Sequence, residues 1–468
     1  MAVSYEEWMS DSDALMWHIE RDPVLRSTVM SVWLLDRAPD PERFEATFDK
    51  AAAEIPRLRQ RVVADGVGVA TPRWEEDPLF DRDYHVRRIR APGDGSLRDL
   101  LDVASPIAGQ AFDKDRPLWE FHLVEGLEGG RAGVLMKLHH AVSDGVGLVR
   151  MTESMVERSR EASATQSGEP LASRPAAGAA RSTEMEHLAS AITQRARTAT
   201  DRSRRVGESV GRGLLDAARD PLGTAQRVAD TARSVGRMVK PEHEPLSPIW
   251  RDRSFSVRLD VLEVPFDALR GAAKSADGSL NDAFVAAVAG GLARYHAAHG
   301  QTVDALRMNM PINIRDKSEG TKAGNQFVPA RFDVPVGIAE PRERMRAIQR
   351  LVRSQRGEPA LPFMDEVTGV INRLGVLPAT SVVSGMMKSV DFVTSNVPGP
   401  RFPVYMSGAR IERMFPFGPL AGAAVNVTLF SYDGQLQLGI NSDRLAVPDP
   451  ERLVACLEEG IAEVCGVA

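Results

Sequence analysis

The sequence predicts an α/β protein built as two similar halves, each a mixed sheet with flanking helices. Three observations carry this. Strand and helix patterns alternate from Ser10 to Met155, the same rhythm resumes after Pro241, and a stretch of different composition separates the two. We therefore divide the 468 residues into an N-terminal lobe (1–157), a linker with a basic helical segment (158–245) and a C-terminal lobe (246–468). That length suits two or three domains of ~100–200 residues each.

In the first lobe, Ser27 to Leu35 is rich in β-branched and aromatic residues and reads as a strand. Pro41 to Ile55 reads as a helix, with Pro41 early and Phe44, Phe48, Ala51 and Ala52 on one face. Arg131 to Leu138 is a mostly buried strand running straight into His139-His140, and a helical pattern returns over Gly147 to Val156. Residues 158 to about 183, dominated by Ser, Ala, Gly, Pro and Arg, read as a flexible linker. Residues 184–240 are helical in pattern, and 181–240 carry 12 Arg and Lys against 7 Asp and Glu. An apolar stripe with arginines between its members suits either an anionic lipid surface or a helix packed on the protein body, and the pattern alone leaves both open.

In the second lobe, Ser254 to Leu262 alternates as a strand, and Leu280 to His296 is a small-residue helix opened by Asn281-Asp282. Strands follow at Leu306 to Arg315 (interrupted by Pro311), Gly324 to Asp333, Ser389 to Ser395, Ala423 to Tyr432 and Gln435 to Ile440. Asp433-Gly434 joins the last two as a hairpin. A helix from Asp449 to about Val464 closes the chain.

Composition narrows the function. A net charge of -6 argues against a dedicated nucleic-acid binder. Two cysteines, Cys456 and Cys465, rule out a disulfide framework or a Cys-based zinc site. The opening residues lack the order of a signal peptide, and Ala283 to Ala293 falls short of the ~18 apolar residues of a span, so the expected location is cytoplasmic.

The chemistry concentrates in His139-His140-Ala-Val-Ser-Asp144-Gly145, where a strand ends in two histidines and an Asp-Gly turn. An imidazole with an ordinary pKa near ~6.5 serves as a base at neutral pH. Adjacent side chains at a strand end point to opposite faces, so the pair is a poor metal site, and only one histidine can face a reaction. A structural pair at a turn is the bland alternative. With no Gly-x-Ser-x-Gly elbow and no cysteine nearby in sequence, a protein nucleophile is unsupported. A base alone suits deprotonation of a substrate hydroxyl, thiol or amine that attacks an activated acyl group.

This motif resembles the HHxxxDG signature of the coenzyme A-dependent acyltransferase superfamily, which includes chloramphenicol acetyltransferase and peptide-synthetase condensation domains. The surroundings resemble the bacterial wax ester synthase/acyl-CoA:diacylglycerol acyltransferase family. Arg116-Pro117-Leu118-Trp119-Glu120 matches its PLW block and Asn281-Asp282 its ND block. Met310 to Arg315 followed by Gly324-Asn325-Gln326, Ser395 to Pro400, Ser431 to Gly434, and Asp443 with Val447-Pro448-Asp449 complete the likeness over about residues 8–465. Met9 to Asp13 lacks the proline common there.

The resemblance implies two chloramphenicol-acetyltransferase-like lobes forming a pseudo-dimer around a central tunnel. It implies His140 as general base, His139 in support, and Asp144 with Gly145 shaping the turn, Asp144 pairing with an arginine for which Arg315 is the candidate. Asn281 is expected to bond substrate or oxyanion, or else to cap its helix. Trp119 and Asn396 are the other substrate-side candidates, although the residues themselves favour core packing with a tunnel wall for Trp119 and a crossover between lobes for Asn396. The implied reaction joins a long-chain acyl group from fatty acyl-CoA to diacylglycerol or a long-chain alcohol, with no metal, no cofactor and no covalent enzyme intermediate. Substrates of this kind agree with a peripheral membrane or lipid-droplet surface as partner. A condensation-type acyltransferase and a non-catalytic lipid-binding protein are the rival readings.

Overall fold

The computed structural model describes residues 5–64, 70–142, 148, 151–161, 181–198, 200, 220, 223, 226, 229–231, 233, 234, 236, 244–313, 327–359, 368, 369, 371, 372 and 376–467. Two six-stranded sheets organise it. The first runs β11 (Tyr405–Met406), β12 (Ala409–Phe417), β1 (Thr28–Leu35), β6 (Ala132–His139), β5 (Trp119–Glu125), β4 (Val86–Arg90). The second runs β7 (Val257–Pro265), β14 (Gln435–Asp443), β13 (Val425–Tyr432), β10 (Phe392–Pro398), β8 (Ala305–Asn313), β9 (Phe327–Pro335). A small hairpin, β2 (Gln60–Val63) with β3 (Arg73–Glu76), stands apart.

The first sheet does not belong to the first half alone. β12 pairs antiparallel with β1 along Met30↔Phe417 to Leu35↔Ile411, so the C-terminal half lends a strand to the N-terminal sheet. Val404, Met406, Ile411, Met414, Phe430 and Tyr432 enter the same core as Trp33, Phe44, Phe48 and Phe121. Where β12 crosses β14, Gly439 makes the approach feasible: a Cβ there would stand 1.7 Å from the Pro416 carbonyl oxygen. Helix α4, Leu97–Gly109 in our numbering after α1 (Asp11–Ile19), α2 (Pro41–Glu54) and the one-turn α3 (Arg82–His85), completes the junction. Its Leu100, Leu101 and Ala104 pack with Leu259 of β7, and Arg98 bonds Asp260 at 2.6 Å.

Local chemistry explains the elements that were legible. The Asp40 carboxylate accepts from the Arg43 N–H to start α2, which buries the expected Phe44, Phe48, Ala51 and Ala52. The hairpin turn holds Asp433 and Gly434 at positive φ, 45° and 80°, as a two-residue loop requires. Pro311 survives inside β8 because β8 meets β10 only at Met308 and Asn309, so the missing N–H removes no bond on that side. In the C-terminal lobe the helices are α5 (Phe266–Ser275), α6 (Leu280–Ala298), α7 (Pro341–Arg356), α8 (Val376–Lys388) and α9 (Pro450–Cys465). Helix α6 is buried nearly all round, from Asp282 to Leu292, and forms the centre of that lobe's core. The predicted linker and most of the basic segment lie outside the described residues. Residues 184–198 of that segment form a helix.

Candidate active site

Strand β6 delivers the two histidines. Every residue from Ala132 to His139 is buried, and β6 lies between β1 and β5. The strand end is held from both sides: the His139 N–H donates to the Leu118 carbonyl at 3.0 Å and the His140 N–H to the Ser27 carbonyl at 2.8 Å. The Val142 N–H donates to the His139 carbonyl at 2.9 Å and closes the turn.

The two imidazoles occupy different environments. The His139 side chain is 0% exposed, edge-on to Trp17 and Phe112 with ring centroids 5.9 and 6.2 Å away. Its Nδ1 accepts from the Ala141 N–H at 3.0 Å, which leaves its proton on Nε2. Nε2 lies 3.1 Å from Glu20 Oε1, close but off the line of an ideal hydrogen bond. His140 is half-buried, neither sealed in the core nor turned wholly to solvent. The geometry thus divides the pair by environment: the His139 ring is enclosed between aromatic rings and the His140 side chain is half-buried.

Glu20, at the C-cap of α1, was not singled out in the sequence, where nothing distinguishes it from other carboxylates at helix ends. Its Oε1 also accepts from the Ser27 N–H at 2.7 Å, and Lys114 Nζ stands 3.9 Å from Oε2. Burial pushes its pKa up, but His139, the Ser27 N–H and Lys114 together outweigh that and hold it below the ordinary carboxylate value. On the same sheet face, Lys137 is fully buried with Nζ 3.5 Å from Glu120 Oε1. Burial pulls that ammonium below its ordinary value although Glu120 opposes the change.

The other expected residues fare differently. Trp119 is a correction: it is 1% exposed, its Nε1–H donates to the Leu58 carbonyl at 2.7 Å, and its ring stacks on His85 and Phe48. It belongs to the core behind the site, with no polar group left to offer a substrate. Asn281 is not a helix cap, because Ser279 caps α6 in a capping box with Asp282. Its amide instead donates to the Met310 sulfur at 3.7 Å. Asn396 lies exposed on β10, paired in register with Leu429. Asn281 and Asn396 therefore stand in the second sheet layer, whereas the histidines close a strand of the first. Asp144, Gly145 and Arg315 lie outside the described residues.

Behind Ala141 and Val142 is a cavity of about 30 Å³, lined also by Ser10, Asp13, Arg57 and Trp74. Burial lowers the Arg57 pKa to about 10, and its guanidinium lies 4.2 Å from the Trp74 ring centroid. A larger cavity of about 390 Å³, lined by Arg131, Arg410, Arg413 and Glu263, is remote from the histidines. It sits at the start of β6, roughly 20–25 Å along the strand from His139. Its cations are paired: Arg131 with Glu128, Arg410 with Asp433 and Arg413 with Glu263. Among the described residues no group of three or more His, Cys, Asp or Glu side chains is placed to hold a metal, and no helix is long and apolar enough to cross a membrane.

Comparison with known proteins agrees with this geometry. Residues 9–284 match the wax ester synthase/diacylglycerol acyltransferase catalytic domain, and residues 323–464 match the C-terminal domain of the same family. A Mycobacterium tuberculosis relative, provisionally named a diacylglycerol O-acyltransferase, is 36% identical over 461 residues, covering 97% of this chain and 91% of that one. In fold, the chain is similar to the wax ester synthase/diacylglycerol acyltransferase from Marinobacter aquaeolei VT8, with TM-score 0.63, 20% identity and 98% of each chain covered. It is similar to the same degree to the first condensation domain of the calcium-dependent antibiotic synthetase, at TM-score 0.63 and 15% identity, covering 99% of this chain and 96% of that one. By the span of these matches, the two-sheet architecture and the histidine pair at the end of β6, the chain belongs to the wax ester synthase/diacylglycerol acyltransferase family.

Proposed function

We propose that this protein transfers a long-chain acyl group from acyl-CoA to the hydroxyl of diacylglycerol, and to long-chain alcohols as a second acceptor class. The observation that carries the reading is the unequal pair: His139 sealed, with Nδ1 bonded to the Ala141 N–H and Nε2 beside the Glu20 carboxylate, and His140 half-buried next to it. His140 takes the acceptor's hydroxyl proton as the oxygen forms its bond to the thioester carbonyl carbon. The carbonyl π pair moves to oxygen, giving a tetrahedral oxyanion. Collapse of that oxyanion breaks the carbon–sulfur bond, and the coenzyme A thiolate recovers the proton from the His140 imidazolium. No covalent enzyme intermediate forms, and acyl-CoA enters as substrate rather than cofactor. Asn281, in the first turn of α6 with the Met310 thioether as the partner of its amide among the described residues, is the proposed donor to substrate or oxyanion.

Both acceptor and product partition into lipid, and we read the 184–198 helix as a contact to such a surface. Ala191 is buried on its packed side, while Met185 and Ile192, seven residues apart on one face, are 76% and 56% exposed.

The test is thiol release from palmitoyl-CoA with diacylglycerol, hexadecanol or an amine as acceptor. We expect release with the two alcohols and a drop of ~10²–10⁴-fold in His140→Ala at unchanged melting temperature. Full turnover in that variant removes His140 from the mechanism. Faster transfer from an acyl carrier protein than from acyl-CoA points instead to a condensation-type enzyme. Droplet binding without thiol release from any acyl-CoA leaves a lipid-binding protein.

A further inference from the structure

We propose that Glu20 is a positioning residue for acyl transfer, fixing the tautomer of His139 and the start of β1 together and thereby setting where the His140 imidazole stands. The proposal rests on His140 being the base. Its own argument is geometric. A carboxylate 5% exposed is costly to bury unless its oxygens have partners. Glu20 Oε1 has two, the Ser27 N–H at 2.7 Å and His139 Nε2 at 3.1 Å.

Both partners lead to His140. The Ser27 carbonyl accepts from the His140 N–H at 2.8 Å, so the residue whose N–H Glu20 anchors holds the next histidine through its C=O. His139 is constrained at both ring nitrogens: the Ala141 N–H, a donor that cannot change role, bonds Nδ1, and the carboxylate, an acceptor when ionised, stands 3.1 Å from Nε2 without ideal hydrogen-bond alignment. Only the Nε2–H tautomer satisfies both. The other tautomer sets donor against donor at Ala141 and a lone pair against a carboxylate at Glu20. Either conflict drives the ring off its seat between Trp17 and Phe112 and loosens the turn 139–142 that carries His140. This is the logic by which a carboxylate orients an imidazole in other acyl-transfer sites, here acting one residue removed from the base.

The experiment uses the full chain with ¹⁵N-labelled histidine and long-range proton–nitrogen correlation of the rings, beside steady-state kinetics. We expect the His139 proton on Nε2 in the wild type. Glu20→Gln, whose amide oxygen replaces the acceptor, should keep that tautomer and stay within ~10-fold of wild-type kcat. Glu20→Ala should lose about 100-fold in kcat, with KM for palmitoyl-CoA changed less than ~3-fold and the His139 proton shared between nitrogens. A wild-type proton on Nδ1, a Gln variant as slow as Ala, or an Ala variant at wild-type kcat overturns the proposal. Should Glu20→Ala fail to fold, the wild-type tautomer and the Gln rescue still decide. In His140→Ala the His139 signals should be unchanged, so full turnover there sinks the base assignment while the Glu20 geometry remains readable.

Discussion

His85 and His140 show how differently the first lobe treats an imidazole. His85 is fully buried, stacked 4.5 Å from Trp119, with Nδ1–H donating to the Trp119 carbonyl at 2.7 Å. Burial lowers its pKa to about 4 even though that bond opposes the shift. The folded protein therefore refuses a proton that the unfolded chain accepts near pH ~6.5, so stability falls as pH drops from ~6.5 toward ~4 and changes no further from this group below that. The loss amounts to about 3 kcal/mol at most. Urea unfolding at about pH 7 and about pH 4.5 should show a shallower pH dependence in His85→Phe than in the wild type, and an equal slope would contradict the assignment. At this scale the sequence announces some chemistry and hides the rest. Two histidines before an Asp-Gly turn are visible because strand alternation separates their roles. Glu20 is invisible because its partners, Ser27 and His139, are joined by folding rather than by spacing. Trp119 was visible with both readings open, since an aromatic beside the motif looks the same whether it walls a substrate or fills a core, and its burial and bond to Leu58 favour the core.

Elements whose signal is local were legible nearly to the residue. Helix α2 buried its expected face, and the Asp433-Gly434 hairpin formed with both φ angles positive. Ser279 rather than Asn281 begins α6, because the capping box with Asp282 satisfies two helix N–H groups that Asn281 cannot reach. The apolar stripe from Val206 to Val239 lies outside the described residues, and ahead of it stands the 184–198 helix. Thr183 and Glu186 cap it, His187 Nε2 lies 3.3 Å from Glu75, and Ala191 is buried, so one face is packed on the protein. Met185 and Ile192 remain exposed, and the proposed function assigns them to a lipid contact. We expect Met185→Ser with Ile192→Ser to weaken flotation with anionic vesicles ~10-fold or more, by loss of apolar burial worth about 1.5–3 kcal/mol per side chain. Thiol release from palmitoyl-CoA with a soluble short-chain alcohol should be unchanged. Flotation equal to the wild type would place the lipid contact elsewhere.

At the scale of the whole molecule, alternation along the chain foretells two sheets but not the exchange between them. Residues 409–417 fall between two strands legible in the C-terminal half, where no strand was expected, and the strand they form belongs to the other sheet, a fact set by packing against β1 and β14 rather than by any local pattern. The exchange makes residues 1–157 incomplete as a folding unit: alone, they lack β12 beside β1 and the Met414, Phe430 and Tyr432 side chains of their core. We expect that fragment to aggregate or form mixed oligomers by size-exclusion chromatography, and to gain solubility when 246–468 is co-expressed. A monomeric fragment with cooperative unfolding would show that the borrowed strand is dispensable.

The same exchange has a price in time. On the ribosome β1 emerges about 370 residues before its partner β12. At ~5–20 residues per second the nascent chain carries an open strand edge for roughly 20–75 s, long enough to need a holdase or slow, cool expression to stay productive.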